Sequence, residues 1–117
     1  MSEPVDQPAP AASRRTSQPI ERIILANPRS DVPEEHLAAV AETGRNLLSA
    51  IPGVEHMSFG ITQAPDARYR WYVRIRYRDA AALHVYETHP NHTTYGAEQW
   101  LPIIADQILV DYHLQYG

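Results

Sequence analysis

The sequence predicts an α+β domain: one antiparallel sheet of four strands with helices packed on a single face. Three observations carry that expectation. Residues 69–78, YRWYVRIRYR, alternate strictly. Tyr69, Trp71, Val73, Ile75 and Tyr77 take one side and Arg70, Tyr72, Arg74, Arg76 and Arg78 the other, as in a strand with one face in a core. Leu37, Val40, Ala41, Gly44, Leu47, Leu48 and Ile51 form one apolar stripe at helical period. The apolar segments then follow in the order strand, helix, strand, strand, helix, strand.

Each element has its own signals. Residues 20–27, IERIILAN, are β-branched and aliphatic with polar residues between, and read as the first strand. Ser30 or Asp31 can cap the helix that follows, Pro33 suits its first turn, and Glu34 and Glu35 favour its positive end. Pro52 and Gly53 stop it. Residues 54–62, VEHMSFGIT, give a second strand, and Pro65 and Asp66 turn the chain into the third. Asp79 caps the helix AAALHVYE, which must stop near Thr88 because Pro90 disfavours helical backbone at His89. Asn91 is the expected cap of a further helical stretch with Pro102 late in it, and residues 107–116 form the last strand.

This β-α-β-β-α-β order, with its second helical region split, is the ferredoxin-like arrangement. It leaves one sheet face open, and on the third strand that is the arginine face. A second copy is the expected cover, making a dimeric α+β barrel. Arg70, Arg74 and Arg76 would then meet acids such as Glu21, Glu55 or Asp111 across the barrel. The rival is a wet, charged face on a monomer.

Composition narrows the function. A chain of 117 residues fits one domain. Residues 1–19 hold four of the ten prolines and almost no large apolar side chain, so they read as a disordered leader to a domain at 20–117. The leader lacks the apolar core of a secretory signal, and a cytoplasmic protein is expected. No apolar run is long enough to span a membrane. A net charge of −4 offers no basic footprint for nucleic acid. There is no cysteine, which removes disulfides, thiolate nucleophiles and sulfur ligands. All ten basic residues are arginine, so Schiff-base chemistry on a lysine is excluded. Catalysis must draw on His, Tyr, Asp, Glu, Arg, Ser or Thr, and no cofactor is expected.

The stretch HVYETHPNHTTYG, residues 84–96, holds His84, His89 and His92, three of six histidines, with Tyr86 and Tyr95. A histidine near neutral pKa can take a proton from carbon between two carbonyls, and the enolate then needs a donor. His92 and Tyr86 can meet in that way only if the chain turns back at Pro90. The plainer reading makes His92 a helix cap bonded to a carbonyl. His89 and His92 do not have the i, i+4 spacing of a helical zinc pair, so no metal is expected, and His89 reads as the fixture of the corner.

YETHPNH followed by WLPIIADQILVDY, with IPGVEHMSFG and IERIILAN before them, resembles the stress-responsive A/B barrel (Dabb) family across residues 20–114. The family pattern is a tyrosine, a His-Pro-x-His run, and a strand ending in Asp-Tyr. The resemblance implies a homodimeric α+β barrel. Its polyketide cyclase members, olivetolic acid cyclase-like, close a ring by enolate chemistry with a histidine base and a tyrosine beside it, without a cofactor. The matching residues are His92 and Tyr86. Three pocket positions depart: Arg22 and Trp71 stand where those cyclases carry histidines, and Gly44 where they carry a tyrosine. The substrate-binding set is therefore Arg22 and Trp71 by match and Tyr95 by its place on the last helical stretch, around a hydrophobic or polyketide-like small molecule of different shape; Trp71, Tyr95 and Trp100 beside it have plain core as the alternative. Arg22 could hold a carboxylate, or form a structural salt bridge. The competing functions are a non-enzymatic stress-related dimer or ligand carrier, and a cofactor-free monooxygenase or lyase on a phenolic polyketide.

Overall fold

The structure, a computed structural model, describes residues 18–115. The leader reading lies outside the described residues except at Gln18 and Pro19. Four strands, β1 (Ile20–Pro28), β2 (Val54–Ile61), β3 (Trp71–Tyr77) and β4 (Ile104–His113), form one antiparallel sheet in the order β2-β3-β1-β4. Helices α1 (Glu34–Ser49), α2 (Ala80–Thr88) and α3 (Pro90–Tyr95) cover one face. The fold is ferredoxin-like.

The alternation holds over Trp71–Tyr77, where Trp71, Val73, Ile75 and Tyr77 are buried and the residues between them are not, while Tyr69, Arg70 and Arg78 fall outside the strand and Tyr69 is only half-buried. In register with them, Ile20, Arg22 and Ala26 of β1 are buried on the same face, beneath Leu37, Val40 and Leu48 of α1. Burying such side chains contributes about 1.5–3 kcal/mol each, so this face sets the position of everything above it.

Several local signals resolve differently. Neither Ser30 nor Asp31 caps α1. Asp31 is taken by Arg29, 3.0 Å away, and Pro33 holds the cap position with extended backbone and no side-chain bond. The turn to β2 rests on Gly53, whose φ of +91° suits glycine, and whose carbonyl accepts from the Arg78 N–H at 2.8 Å. Asp79 does cap α2, accepting from the Ala82 N–H at 2.9 Å, and the helix ends at Thr88. The cap of α3 is His89 rather than Asn91: His89 Nδ1 accepts from the Asn91 N–H at 3.0 Å. The Asn91 amide instead donates to the Leu47 carbonyl at 2.9 Å, pinning the corner to the last turns of α1. After α3 the chain runs through a π-turn, Gly96–Trp100, and a 3₁₀ turn, Leu101–Ile103. β4 starts there, earlier than position 107, because extended pairing takes over directly past Pro102.

The open face is also not a plain arginine surface. Arg74 and Arg76 turn onto Glu21 of the same chain, at 3.0 and 2.9 Å. Asp111 is held by Arg22 on the other face, and Arg70 lies 3.7 Å from Glu34. These acids are satisfied within one chain and need no partner across a barrel. On β4 the open face exposes apolar side chains, Ile108, Val110 and Tyr112.

Candidate functional site

Tyr86 lies in the third-last position of α2, and His92 in the first turn of α3. The break at His89–Pro90 turns the second helix back on the first, so two residues six apart in sequence stack, with ring centroids 4.3 Å apart and planes 31° from parallel. The other side of Tyr86 meets the edge of Tyr77 at 4.9 Å. His92 Nδ1 lies 3.4 Å from the Glu87 carbonyl oxygen. A carbonyl only accepts, so Nδ1 carries the hydrogen and Nε2 is left with the lone pair. Burial lowers the His92 pKa below its ordinary 6.5, and the Arg22 charge works in the same direction against a pull upward from Glu87. Burial pushes the Tyr86 phenol up to about 12, although Arg22 draws it down. At neutral pH the pair is thus a neutral imidazole beside a protonated phenol: a base and a donor.

Two hollows meet at this pair. An inner cavity of about 50 Å³ lies between sheet and helices, walled by Leu48, Met57, Phe59, Val73 and Ile75. An outer groove of about 370 Å³ runs along β4, past Thr93, Ala97, Leu101, Gln107 and Leu109. Ile24, Tyr86, His92, Gly96 and Trp100 border both. The chemistry-bearing residues therefore stand at the junction of a small apolar cavity and a groove large enough for a small ligand.

Arg22 borders the groove but is not free for a substrate carboxylate. It is buried, its Nε and Nη2 grip both oxygens of Asp111 at 2.8 and 3.0 Å, and its Nη1 meets Glu87 at 3.1 Å. Burial works against its charge, but Asp111, Tyr77 and Glu87 outweigh that and leave its pKa raised. Of the two readings of Arg22, the geometry matches the salt bridge. The guanidinium also stands 5.9 Å from the ring centroids of both Tyr77 and Tyr86, so it braces the tyrosine from above.

Trp71 is apart from the pair. It lines a different hollow, with Glu34, Ala38, Ala41 and Phe59, and its indole N–H is buried without a partner. Tyr95 does line the inner cavity, but its hydroxyl is spent on the Val40 carbonyl at 2.7 Å. It reaches that carbonyl only over Gly44, where a Cβ would collide with the phenol oxygen. The missing bulk at Gly44 on α1 is thus refilled by a tyrosine from α3. Among the described residues no group of three His, Asp or Glu side chains is placed to hold a metal ion, and no helix is long and apolar enough to cross a membrane.

Gln107 is a site residue that the sequence did not single out, and Trp100, on the last helical stretch, reads from sequence as core ahead of pocket wall. Trp100 borders both hollows, and its indole N–H donates to Gln107 Oε1 at 2.9 Å. The available signal was an indole on a helical stretch interrupted by Gly96 and Pro102.

Residues 20–114, which hold the whole sheet and the His-Pro-x-His corner, match the model of the stress responsive A/B barrel domain, Dabb. The chain belongs to this family. No protein of curated function matches it in sequence. Among solved structures, a dimeric ferredoxin-like protein of unknown function from Thermobifida fusca is 24% identical, with TM-score 0.74 over 84% of this chain and 92% of that one. A hydroxynitrile lyase from Passiflora edulis is 12% identical, with TM-score 0.77 over 86% and 97%. A cofactor-independent oxygenase from Streptomyces nogalater is 11% identical, with TM-score 0.67 over 86% and 96%. The fold is thus shared with two enzymes as well as with a protein of unknown function.

Proposed function

We propose that this Dabb protein is a small cofactor-independent acid–base enzyme of the polyketide cyclase kind, acting on a β-polyketone or related 1,3-dicarbonyl. The single observation behind this reading is the stacked His92–Tyr86 pair at the junction of cavity and groove. His92 Nε2 takes the proton as the acidic C–H bond breaks. Tyr86 donates a hydrogen bond to the enolate oxygen. The carbanion carbon bonds to a second carbonyl carbon of the same molecule, and the new alkoxide takes the proton back from His92. Confinement in the groove contributes by proximity. Arg22 holds Tyr86 and Glu87 in place rather than holding substrate. The lyase reading uses the same pair in the reverse sense, breaking a carbon–carbon bond, and the hydroxynitrile lyase with this fold lends it support.

The test is turnover of β-polyketide thioesters and free acids, read by mass spectrometry beside ligand-induced thermal shift. His92→Ala should still bind and should lose at least about 100-fold in rate, and Tyr86→Phe about tenfold. A wild type that binds and never converts would make the protein a carrier; oxygen uptake would make it an oxygenase.

The open face gives the proposed partner, a second copy of the chain. Its exposed Ile108, Val110 and Tyr112 form an apolar strip on an edge strand, and the Thermobifida fusca protein of this fold is dimeric. Val110→Asp should convert a sedimenting dimer into a folded monomer; an unchanged sedimentation coefficient would place the interface elsewhere.

A further inference from the structure

The inner cavity is apolar on every side except where Tyr86, His92 and Tyr95 face it. At about 50 Å³ it has room for a water molecule or a short alkyl group and no more. Trp100 lines both this cavity and the much larger groove. That indole packs against Phe59 and Trp71 with centroids 6.1 and 6.3 Å away, and one hydrogen bond, to Gln107 on the exposed edge strand, fixes its orientation. Its backbone ends the π-turn, a departure from α-helical bonding of the kind that clusters at functional sites. Gly96, at the start of the same turn, leaves open space where a side chain would stand.

We propose that Trp100, latched by Gln107, sets the length of the apolar tail this site admits. In the latched state the substrate is a 1,3-dicarbonyl whose inward end is a short alkyl group, with its bulk lying in the groove. Releasing the latch lets the indole swing, joins the two hollows and admits longer tails. The inference rests on the reading of His92 and Tyr86 as the reacting end, since they fix which part of the ligand faces inward. An added methylene in a small apolar pocket changes discrimination by about tenfold or more.

The experiment uses acetylacetone and its longer alkyl homologues, lengthened one methylene at a time, with dissociation constants from calorimetry. The proteins are wild type, Gln107→Ala and Trp100→Ala. Gln107 is exposed, so cutting the latch leaves the core intact even where the tryptophan variant fails to fold. In parallel, fluorine NMR on fluorotryptophan-labelled protein follows the two tryptophans, assigned with Trp71→Phe. The expected result is a steep loss of affinity in wild type once the tail outgrows the cavity. Gln107→Ala should flatten that loss by at least tenfold for the longest homologue and should move or broaden the Trp100 line but not that of Trp71. A wild type indifferent to tail length, a series in which nothing binds, or a Gln107→Ala protein with wild-type profile and lines would overturn the proposal. Length dependence in a protein that converts nothing keeps this inference and removes the catalytic reading; turnover without length dependence does the reverse.

Discussion

Glu21 and Arg22 adjoin on β1, face opposite sides of the sheet, and are both buried, with 3% and 6% of their surface exposed. Each is surrounded by opposite charge, but the arithmetic differs. Arg22, on the helix side, is one cation between two carboxylates, Asp111 and Glu87. Glu21, on the open side, is one carboxylate between Arg74 and Arg76, with the Tyr112 hydroxyl at 2.5 Å. A buried charge is costly unless its partners surround it, and neither cluster is a cheap way to gain stability. The difference lies in what each touches. The Arg22 cluster stands against Tyr86, and its Glu87 supplies the carbonyl that orients His92. The Glu21 cluster touches neither residue of that pair and organises the face proposed to meet a second copy. Adjacent residues thus divide the labour of the sheet: one positions chemistry, the other shapes a surface.

The largest expected effect comes from breaking the inner cluster. Arg22→Leu leaves Asp111 and Glu87 without their cation and removes the brace above Tyr86. Partner loss at a buried ion pair costs about 3–5 kcal/mol. Both acids here reach solvent, so urea unfolding should show a loss near 3 kcal/mol, the low end of that range. Turnover should fall with it. Adding Asp111→Leu should recover part of the stability, because one stranded charge is then gone, and should leave turnover low. A single variant within about 1 kcal/mol of wild type would mean that the cluster is solvated and holds nothing.

A smaller effect belongs to the outer cluster and depends on pH. Burial alone would raise the Glu21 pKa, but hydrogen bonds from Arg74, Tyr112 and Arg76 bring it from 4.5 down to about 2. A carboxylate with a depressed folded pKa adds stability that is complete above its unfolded pKa and is lost as pH falls. The window therefore runs from about 4.5 down to about 2. With the half-exposed arginines screening part of it, the contribution is about 2 kcal/mol. Glu21→Gln should be less stable than wild type by that amount at neutral pH and level with it near pH 2. Parallel stability curves for the two proteins across the window would show that Glu21 is not held by its arginines.

These two clusters also mark how far the sequence could be read. The faces of β3 were legible because a period of two needs no partner to be recognised, and the corner at Pro90 because proline acts on its own neighbour. The caps were less so. Asp31 had the right chemistry for α1 but was taken by Arg29, and His89 outcompeted Asn91 because its ring nitrogen reaches the second amide along. Contacts between distant segments were not legible at all. Nothing local says that Tyr95 fills the gap at Gly44, that Glu21 collects arginines from its own chain, or that Trp100 reaches the edge strand at Gln107. The His92–Tyr86 pairing was legible from the motif. The distance of Trp71 from that pair was not: Tyr86 packs on Tyr77, at the opposite end of β3 from Trp71.

The smallest expected effect tests the comparison most sharply. Burial holds the His92 imidazole below its ordinary 6.5, with Arg22 adding to that and Glu87 opposing it. If His92 is the base, the acid limb of kcat/KM reports its loss of activity on protonation, and that limb lies below pH 6.5. The groups that face it are Tyr86 from α2, Glu87 from the same helix and Arg22 from β1. Removing the negative charge in Glu87→Gln makes the imidazolium less favourable, so the limb should move to slightly lower pH. Removing the cation in Arg22→Leu should move it higher in whatever fraction stays folded. Glu21→Gln is one residue away from Arg22 in sequence, but its cluster lies across the sheet, and the limb should not move. A limb that shifts equally in Glu87→Gln and Glu21→Gln would mean that the sheet does not separate the two fields. A limb indifferent to Glu87 and Arg22 together would remove His92 from the role of base.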